Sequence, residues 1–216
     1  MLTLHAADLL LPGAGADPVP GGAVAVDDGR IADFGPYERV AAAYPGARAR
    51  RWPGLLTPGL RQWHGKWLLE RCYYPDPREF HLLGERPLTG AALSDLDMDA
   101  TRWAGSVRRG VQQLLRHGTT TVVGNFSDPV VNVAVARSGL VVVPPLGAPG
   151  DAPGEPDLDP FHAGHDLAGT AAGPLITGGR ADLAVFDVPD EPTLVERGAA
   201  TCVATVLAGR LVHRRR

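Results

Sequence analysis

Three histidines have side chains and spacing that suit a metal site. His162 and His165 lie three residues apart in DPFHAGHD, beside Asp159 and Asp166, and at that spacing one helical turn brings such ligands together. The glycine and the prolines around them favour exposed loop histidines instead. With His64 the pair would supply the three nitrogen ligands that catalytic zinc commonly uses. We therefore predict His64, His162 and His165 as metal ligands, with solvated loop histidines as the alternative.

Lys66 is the single lysine in a chain whose other basic residues are arginines, and it follows His64 in the triplet HGK. Its ammonium group could pair with a carboxylate such as Glu70 or Asp128, or stay solvated. In a pocket that excludes water, the same group could act as a base or a nucleophile. His64 and Lys66 are the residues that we predict to carry any catalysis.

Other polar residues have structural explanations. Asp95, Asp97 and Asp99 precede an amphipathic stretch, where carboxylates cap free N–H groups and suit the helix dipole. The sequence has no phosphate-binding Gly-x-x-x-x-Gly-Lys loop, no Gly-x-Gly-x-x-Gly after a strand and no Gly-x-Ser-x-Gly elbow. Nucleotide-dependent and serine-hydrolase chemistry therefore have no support from motifs.

Composition narrows the class of protein. The net charge of −3 and the pI near 6.1 provide no broad basic field for nucleic acid. No apolar run approaches the roughly 18 residues of a membrane helix, and the N-terminus lacks a signal-peptide pattern. Cys72 and Cys202 fit neither a disulfide framework nor a zinc cluster. We expect a cytoplasmic protein with reduced cysteines that binds neither nucleic acid nor membrane.

Both ends of the chain carry β patterns. Residues 2–11 form an apolar strand, and AVAVDDGRIADFG alternates around Asp28-Gly29, a signal for a tight hairpin. Near the C-terminus, residues 181–188 and 201–214 predict three strands, the last two turning at Ala208-Gly209-Arg210. A hairpin alone is marginal in water. We therefore predict that the two ends form one sheet and that the middle is an insert.

The middle of the chain alternates strands and helices. A helix with apolar residues three or four apart begins at Ser94 or Asp95 and ends at His117-Gly118. Strand 119–123, a helix over 128–139 and strand 140–144 follow. This order implies a parallel sheet with right-handed crossovers.

The segment LLTPGLRQWHGKWLLE (Leu55–Glu70) resembles the start of the barrel in the amidohydrolase superfamily, especially its imidazolonepropionase-like and aminofutalosine deaminase-like branch. In that family a Thr-Pro-Gly-Leu turn leads into a strand ending in His-x-His, whose imidazoles share one face and bind a catalytic metal. The aligned triplet here is His64-Gly65-Lys66, so one ligand is kept and the other is replaced. VAVDDGRIADFGP resembles the family's N-terminal hairpin, HGTTTVV its second barrel strand, and GRADLAVFDVP with VLAGRLVHR its C-terminal strands.

The resemblance implies an α/β fold with a composite β domain from both ends, 1–54 and 175–216. It further implies a truncated, TIM-barrel-derived βα insert at 55–146, because a complete barrel takes about 200 residues or more. Residues 147–174, rich in proline and glycine, then form a loop or linker.

The resemblance also implies descent from metal-dependent hydrolases or deaminases of non-peptide C–N bonds, acting on cyclic amidine or purine-like substrates. Such enzymes use a divalent metal, which in this chain would be zinc. Because one of the two histidine ligands is replaced, the sequence favours a protein with no bound metal. The alternative is a non-catalytic binding or scaffold protein that takes a small-molecule ligand. It would form homo-oligomers or pair with a full-length amidohydrolase, because an incomplete sheet leaves open edges.

Overall fold

The computed structural model describes residues 2–145 and 154–215. Its strands are β1 Thr3–Leu10, β2 Val19–Pro20, β3 Gly22–Asp27, β4 Arg30–Pro36, β5 Arg48–Pro58, β6 Leu60–Gln62, β7 Thr119–Val123, β8 Val141–Val143, β9 Leu183–Phe186, β10 Cys202–Leu207 and β11 Arg210–Arg214. Its helices are α1 Tyr37–Ala43, α2 Gly65–Glu70, α3 Phe80–Leu83, α4 Gly90–Ser94, α5 Ala100–Arg116, α6 Pro129–Ser138, α7 Phe161–Gly164, α8 Leu167–Thr170 and α9 Glu191–Arg197, with 3-10 turns at Pro77–Glu79 and Ala199–Thr201.

The first sheet joins the two ends of the chain, as the sequence predicts. Its order is β11-β10-β9-β5-β1-β3-β4, with β2 added beside β1. The N-terminal and C-terminal parts meet where β5 pairs antiparallel with β9, for example Leu56 with Val185. β5 stays in this sheet as far as Pro58, so the strand crosses the boundary predicted at residues 54 and 55.

Two tight turns close the hairpins of this sheet. Asp28 and Gly29 have φ of 44° and 78°, and Ala208 and Gly209 have φ of 45° and 74°. Consecutive residues with positive φ are typical of type I′ hairpin turns, which glycine tolerates. A Cβ on Gly29 would lie 2.9 Å from the Ala208 carbonyl oxygen, so the two turns pack against each other. Both predicted hairpins are confirmed.

The second sheet contains three parallel strands in the order β6-β7-β8. The chain between β6 and β7 includes α2 and α5, and α6 connects β7 to β8. Leu69, Val111, Leu114 and Val131 pack with Val122 of β7 in one core. The predicted parallel sheet with alternating strands and helices is confirmed.

The main helix α5 begins later than the sequence predicts. Ser94 and Asp95 end the short helix α4, and Asp99 is the N-cap, accepting a hydrogen bond from the Arg102 N–H at 2.7 Å. Asp99 has the extended backbone of an N-cap, with φ −98° and ψ 168°. The N-cap at Ser94 or Asp95 was wrong because the acidic cluster offers several carboxylates, and the sequence alone does not select one of them.

The segment predicted as a linker contains two single-turn helices in its described part, α7 and α8. Residues 147–153 lie outside the described residues. Phe161 and Leu167 pack in the core beneath the first sheet, which explains why this proline-rich stretch has local order.

Within the described residues no helix is long and apolar enough to span a membrane.

Candidate functional site

A pocket of about 410 Å³ opens at the carboxyl ends of β6, β7 and β8. In open parallel sheets this edge is where ligands bind. The pocket is lined by Trp63, His64, Lys66, Trp67, Arg71, Val123, Gly124, Asn125 and Pro145. The two residues predicted to carry catalysis, His64 and Lys66, therefore both border it.

His64 lies in a turn and not on a strand. β6 ends at Gln62, whose side-chain oxygen accepts the His64 N–H at 3.1 Å, and α2 begins at Gly65. A Cβ at residue 65 would lie 2.8 Å from Val122 Cβ, so glycine lets the helix begin close against β7. His64 and Lys66 therefore do not have the strand geometry that the resemblance implies for the family's His-x-His pair.

The His64 imidazole is half-buried, and burial lowers its pKa while the Asp157 carboxylate opposes that shift. A lowered pKa keeps more of the ring neutral near pH 7. Asp157 also contacts His162 Nδ1, and this hydrogen bond raises the pKa of His162. One carboxylate thus influences both imidazoles, although sequence reasoning did not single out Asp157.

Lys66 pairs with Glu70, one of the two carboxylates that the sequence suggested. Its Nζ lies 3.7 Å from Glu70 Oε2, with 48% of the lysine side chain and 7% of the glutamate side chain exposed. Glu70 also accepts hydrogen bonds from the N–H groups of Ser127 and Asp128. The other suggested partner, Asp128, caps α6 and accepts the Trp103 indole N–H at 2.7 Å.

The predicted metal ligands do not form one ligand set. Across residues 2–145 and 154–215, no group of three or more His, Cys, Asp or Glu side chains is arranged to hold a metal ion. His165 ends α7 with φ 66° and is exposed, and His162 faces Asp157. The Asp159 carboxylate accepts hydrogen bonds from the N–H groups of Phe161 and Ala199. Within those residues, His64, His162 and His165 therefore do not form the donor set of one metal ion.

Comparison with known proteins finds one segment that is similar to a family model. Residues 22–47 match the model of the bacterial imidazolonepropionase-like composite domain. No curated protein matches the chain.

Solved structures similar to this chain include three enzymes. Ochratoxinase of A. niger has 22% identity and a TM-score of 0.46, and the match covers 66% of this chain and 31% of the ochratoxinase chain. Aminofutalosine deaminase of Helicobacter pylori has 20% identity and a TM-score of 0.43, and the match covers 66% of this chain and 34% of the deaminase chain. Guanine deaminase of E. coli has 18% identity and a TM-score of 0.43, and the match covers 67% of this chain and 36% of the guanine deaminase chain. This chain spans about a third of the length of these structures. Residues 22–47, which hold β3, β4 and α1, are the part of this chain that is similar to the imidazolonepropionase-like composite domain.

Proposed function

We propose that this protein is an amidohydrolase-like binding protein, related to metal-dependent hydrolases and deaminases of non-peptide C–N bonds, that binds a flat nitrogen heterocycle without metal-dependent turnover. The ligand class, cyclic amidines or purine-like rings, comes from the resemblance of Leu55–Glu70 to that family. The observation that carries the proposal is the placement of His64 and Lys66 on one pocket of about 410 Å³.

The charges in the pocket favour a polar organic ligand over a divalent cation. Lys66 and Arg71 both line it, and their positive charges disfavour a metal ion, although the Lys66 ammonium is partly balanced by Glu70. Lys66 is an N–H donor and a neutral His64 has one donor and one acceptor nitrogen. These groups can bind a ring carbonyl and the adjacent ring nitrogen.

The walls of the pocket suit a planar ring. Trp63 and Trp67 both border it, and the Trp63 indole N–H donates to the Gly169 carbonyl at 2.8 Å, which holds the side chain in place. Aromatic faces attract flat ligands through stacking and apolar contact. A volume of about 410 Å³ lies in the range of small-molecule sites.

The first test combines calorimetric titration with a turnover assay. Hypoxanthine, a purine with a ring carbonyl, should bind saturably, and Lys66→Ala should weaken binding about tenfold, the loss of one charge-assisted hydrogen bond. Arg78→Ala, an exposed cation outside the pocket, is the matched control and should bind as the parent does. Equal binding by Lys66→Ala and the parent would contradict the assigned role of the ammonium.

Metal content decides between binding and hydrolysis. We expect protein purified without tag or chelator to contain no stoichiometric zinc, iron or manganese by plasma mass spectrometry. We also expect it to release no ammonia from purines or cyclic amidines. Near-stoichiometric metal that is lost in His64→Ala, together with ammonia release, would replace this proposal with a metal-dependent hydrolase.

A second role, assembly through strand pairing, is favoured by the outer edge of β8. β8 ends the β6-β7-β8 sheet in the described part of the chain, and Val142 within it is 46% exposed. Such an edge can pair with another strand, from a second copy or from a full-length amidohydrolase. Light scattering should then give a mass above 22.7 kDa, and Val142→Lys should shift the protein toward the monomer. A monomeric parent with no copurifying partner would rule this role out.

A further inference from the structure

A cleft of about 500 Å³ separates α5 and α6 from the strand β11 at the edge of the first sheet. It shares no lining residue with the pocket at the ends of β6 to β8. Three arginines line it, each from a different element: Arg108 from α5, Arg137 from the last turn of α6 and Arg210 from β11. The fold therefore concentrates positive charge that is dispersed along the sequence.

These three guanidinium groups make no ion pair, hydrogen bond or ring contact within the described part of the chain. Their neighbours on α5 differ, because Arg102 pairs with Glu79 and Arg109 pairs with Asp76. The cleft is also lined by no aspartate or glutamate among the described residues. Arginine is common throughout this chain, so the cleft is distinguished by the unpaired placement of these groups and not by the residue type.

A second cleft of about 350 Å³ continues the first along β11. The two share three lining residues, and the second adds Arg116, His213 and Arg214. The pKa of His213 is lowered first by burial and then by the positive charges of Arg116 and Arg215. The positive field thus extends along the whole edge strand, although the chain as a whole has a net charge of −3.

The floor of the larger cleft is apolar. Val111 and Leu115 of α5 and Leu211 and Val212 of β11 line it between the arginines. Guanidinium groups suit the planar oxygens of phosphate and carboxylate, and an apolar floor suits a flat ring. A ligand that uses both must carry an anionic group on an apolar body, and a phosphate offers more oxygens to three arginines than a carboxylate does.

We propose that this cleft binds a phosphorylated small molecule of nucleotide size, with its phosphate at Arg108, Arg137 and Arg210 and its ring on the apolar floor. The volume of about 500 Å³ accommodates a nucleoside monophosphate. The site shares no lining residue with the heterocycle pocket, so failure to bind a ligand at one of them would leave binding at the other unaffected.

Calorimetric titration at low ionic strength tests the site with AMP, adenosine and inorganic phosphate as probes. AMP should bind at least about tenfold more tightly than adenosine or phosphate, since it alone uses both the arginines and the floor. Added salt should weaken AMP binding, because exposed charges are screened. Phosphate binding as tight as AMP binding, or no AMP binding, would overturn the proposal.

The protein-side test uses Arg137→Gln and Arg210→Gln, each expected to weaken AMP binding about tenfold. Both arginines are exposed, so the variants should fold, and an unchanged urea midpoint verifies this. Arg197→Gln removes an exposed arginine of α9 that does not line the cleft and should leave AMP binding unchanged. Equal losses in all three variants would show non-specific charge attraction and overturn the proposal.

Discussion

Gly59→Ala tests how the two sheets are joined. Gly59 connects β5 to β6; its N–H donates to the Asp182 carbonyl and its carbonyl accepts the Ala172 N–H, each at 2.9 Å. A methyl group there would lie 2.1 Å from Thr120 Oγ1 and 2.2 Å from Thr120 Cγ2. Thr120 is fully buried in β7, and both backbones belong to hydrogen-bonded structure. The overlap therefore cannot be relieved by a small side-chain movement.

Overpacking of this kind costs about 1–3 kcal/mol in a dense core. Because Gly59 is held on both sides, we expect about 3 kcal/mol, at the upper end of that range. For a chain of this size that loss lowers the Tm by roughly 6–12 °C. Urea unfolding and thermal scans measure both quantities, and an unchanged m value shows that the loss is one of stability.

Two variants make the result specific. Thr120→Ala in the Gly59→Ala background removes the two closest atoms but leaves a Cβ 2.6 Å away, so we expect roughly half of the loss to be recovered. Gly46→Ala, at a glycine where an added Cβ would meet nothing within 4 Å, should not destabilise the protein. A Gly59→Ala chain within about 0.5 kcal/mol of the parent, or purely additive effects in the double variant, would show that the added methyl group does not clash with Thr120.

Two further predictions concern buried ionisable groups. Glu70→Ala should lower the free energy of unfolding in urea by about 2–3 kcal/mol, because the N–H groups of Ser127 and Asp128 lose their acceptor. Lys66→Ala, which removes the exposed partner of Glu70, should lower it by less than about 1 kcal/mol. Equal losses in the two variants would contradict this prediction. Burial lowers the pKa of His5 from 6.5 to about 4, so between those values the unfolded chain binds more protons than the folded one. Stability should then fall by up to about 3 kcal/mol as the pH falls from 6.5 to 4, and His5→Leu should lack that part of the pH dependence; identical urea profiles for both chains would exclude the role of His5.

The features that were predictable from sequence depend on local rules. Asp28-Gly29 and Ala208-Gly209 specify hairpin turns through positive φ, and alternating apolar residues specify the strands around them. That the two ends of the chain form one sheet followed from the need of an isolated hairpin for more strands, whereas the pairing of β5 with β9 that joins them is seen only in the structure. The N-cap of α5 was not predictable, because several carboxylates precede that helix and the choice of Asp99 depends on packing farther along the chain.

The arrangement of the site required tertiary structure. His64 and Lys66 were found from their motif, and both line the pocket. Asp157 has no local signal in a proline-rich stretch, and its influence on His64 arises where residues 157–159 pass the end of β6. The arginine cleft was not visible in the sequence either, since its charged groups come from three distant elements.

The backbone at residues 62–66 determines how His64 and Lys66 are arranged at the pocket. A His-x-His pair shares one face because alternate residues of a strand point the same way. Here the strand stops at Gln62, His64 is the N-cap of α2, and residue 66 lies within the helix. Residues two apart in a helix differ by about 200° in direction, and the side chain at 66 pairs with Glu70, four residues along α2. Lys66→His alone would therefore place an imidazole beside Glu70 without recreating the strand geometry.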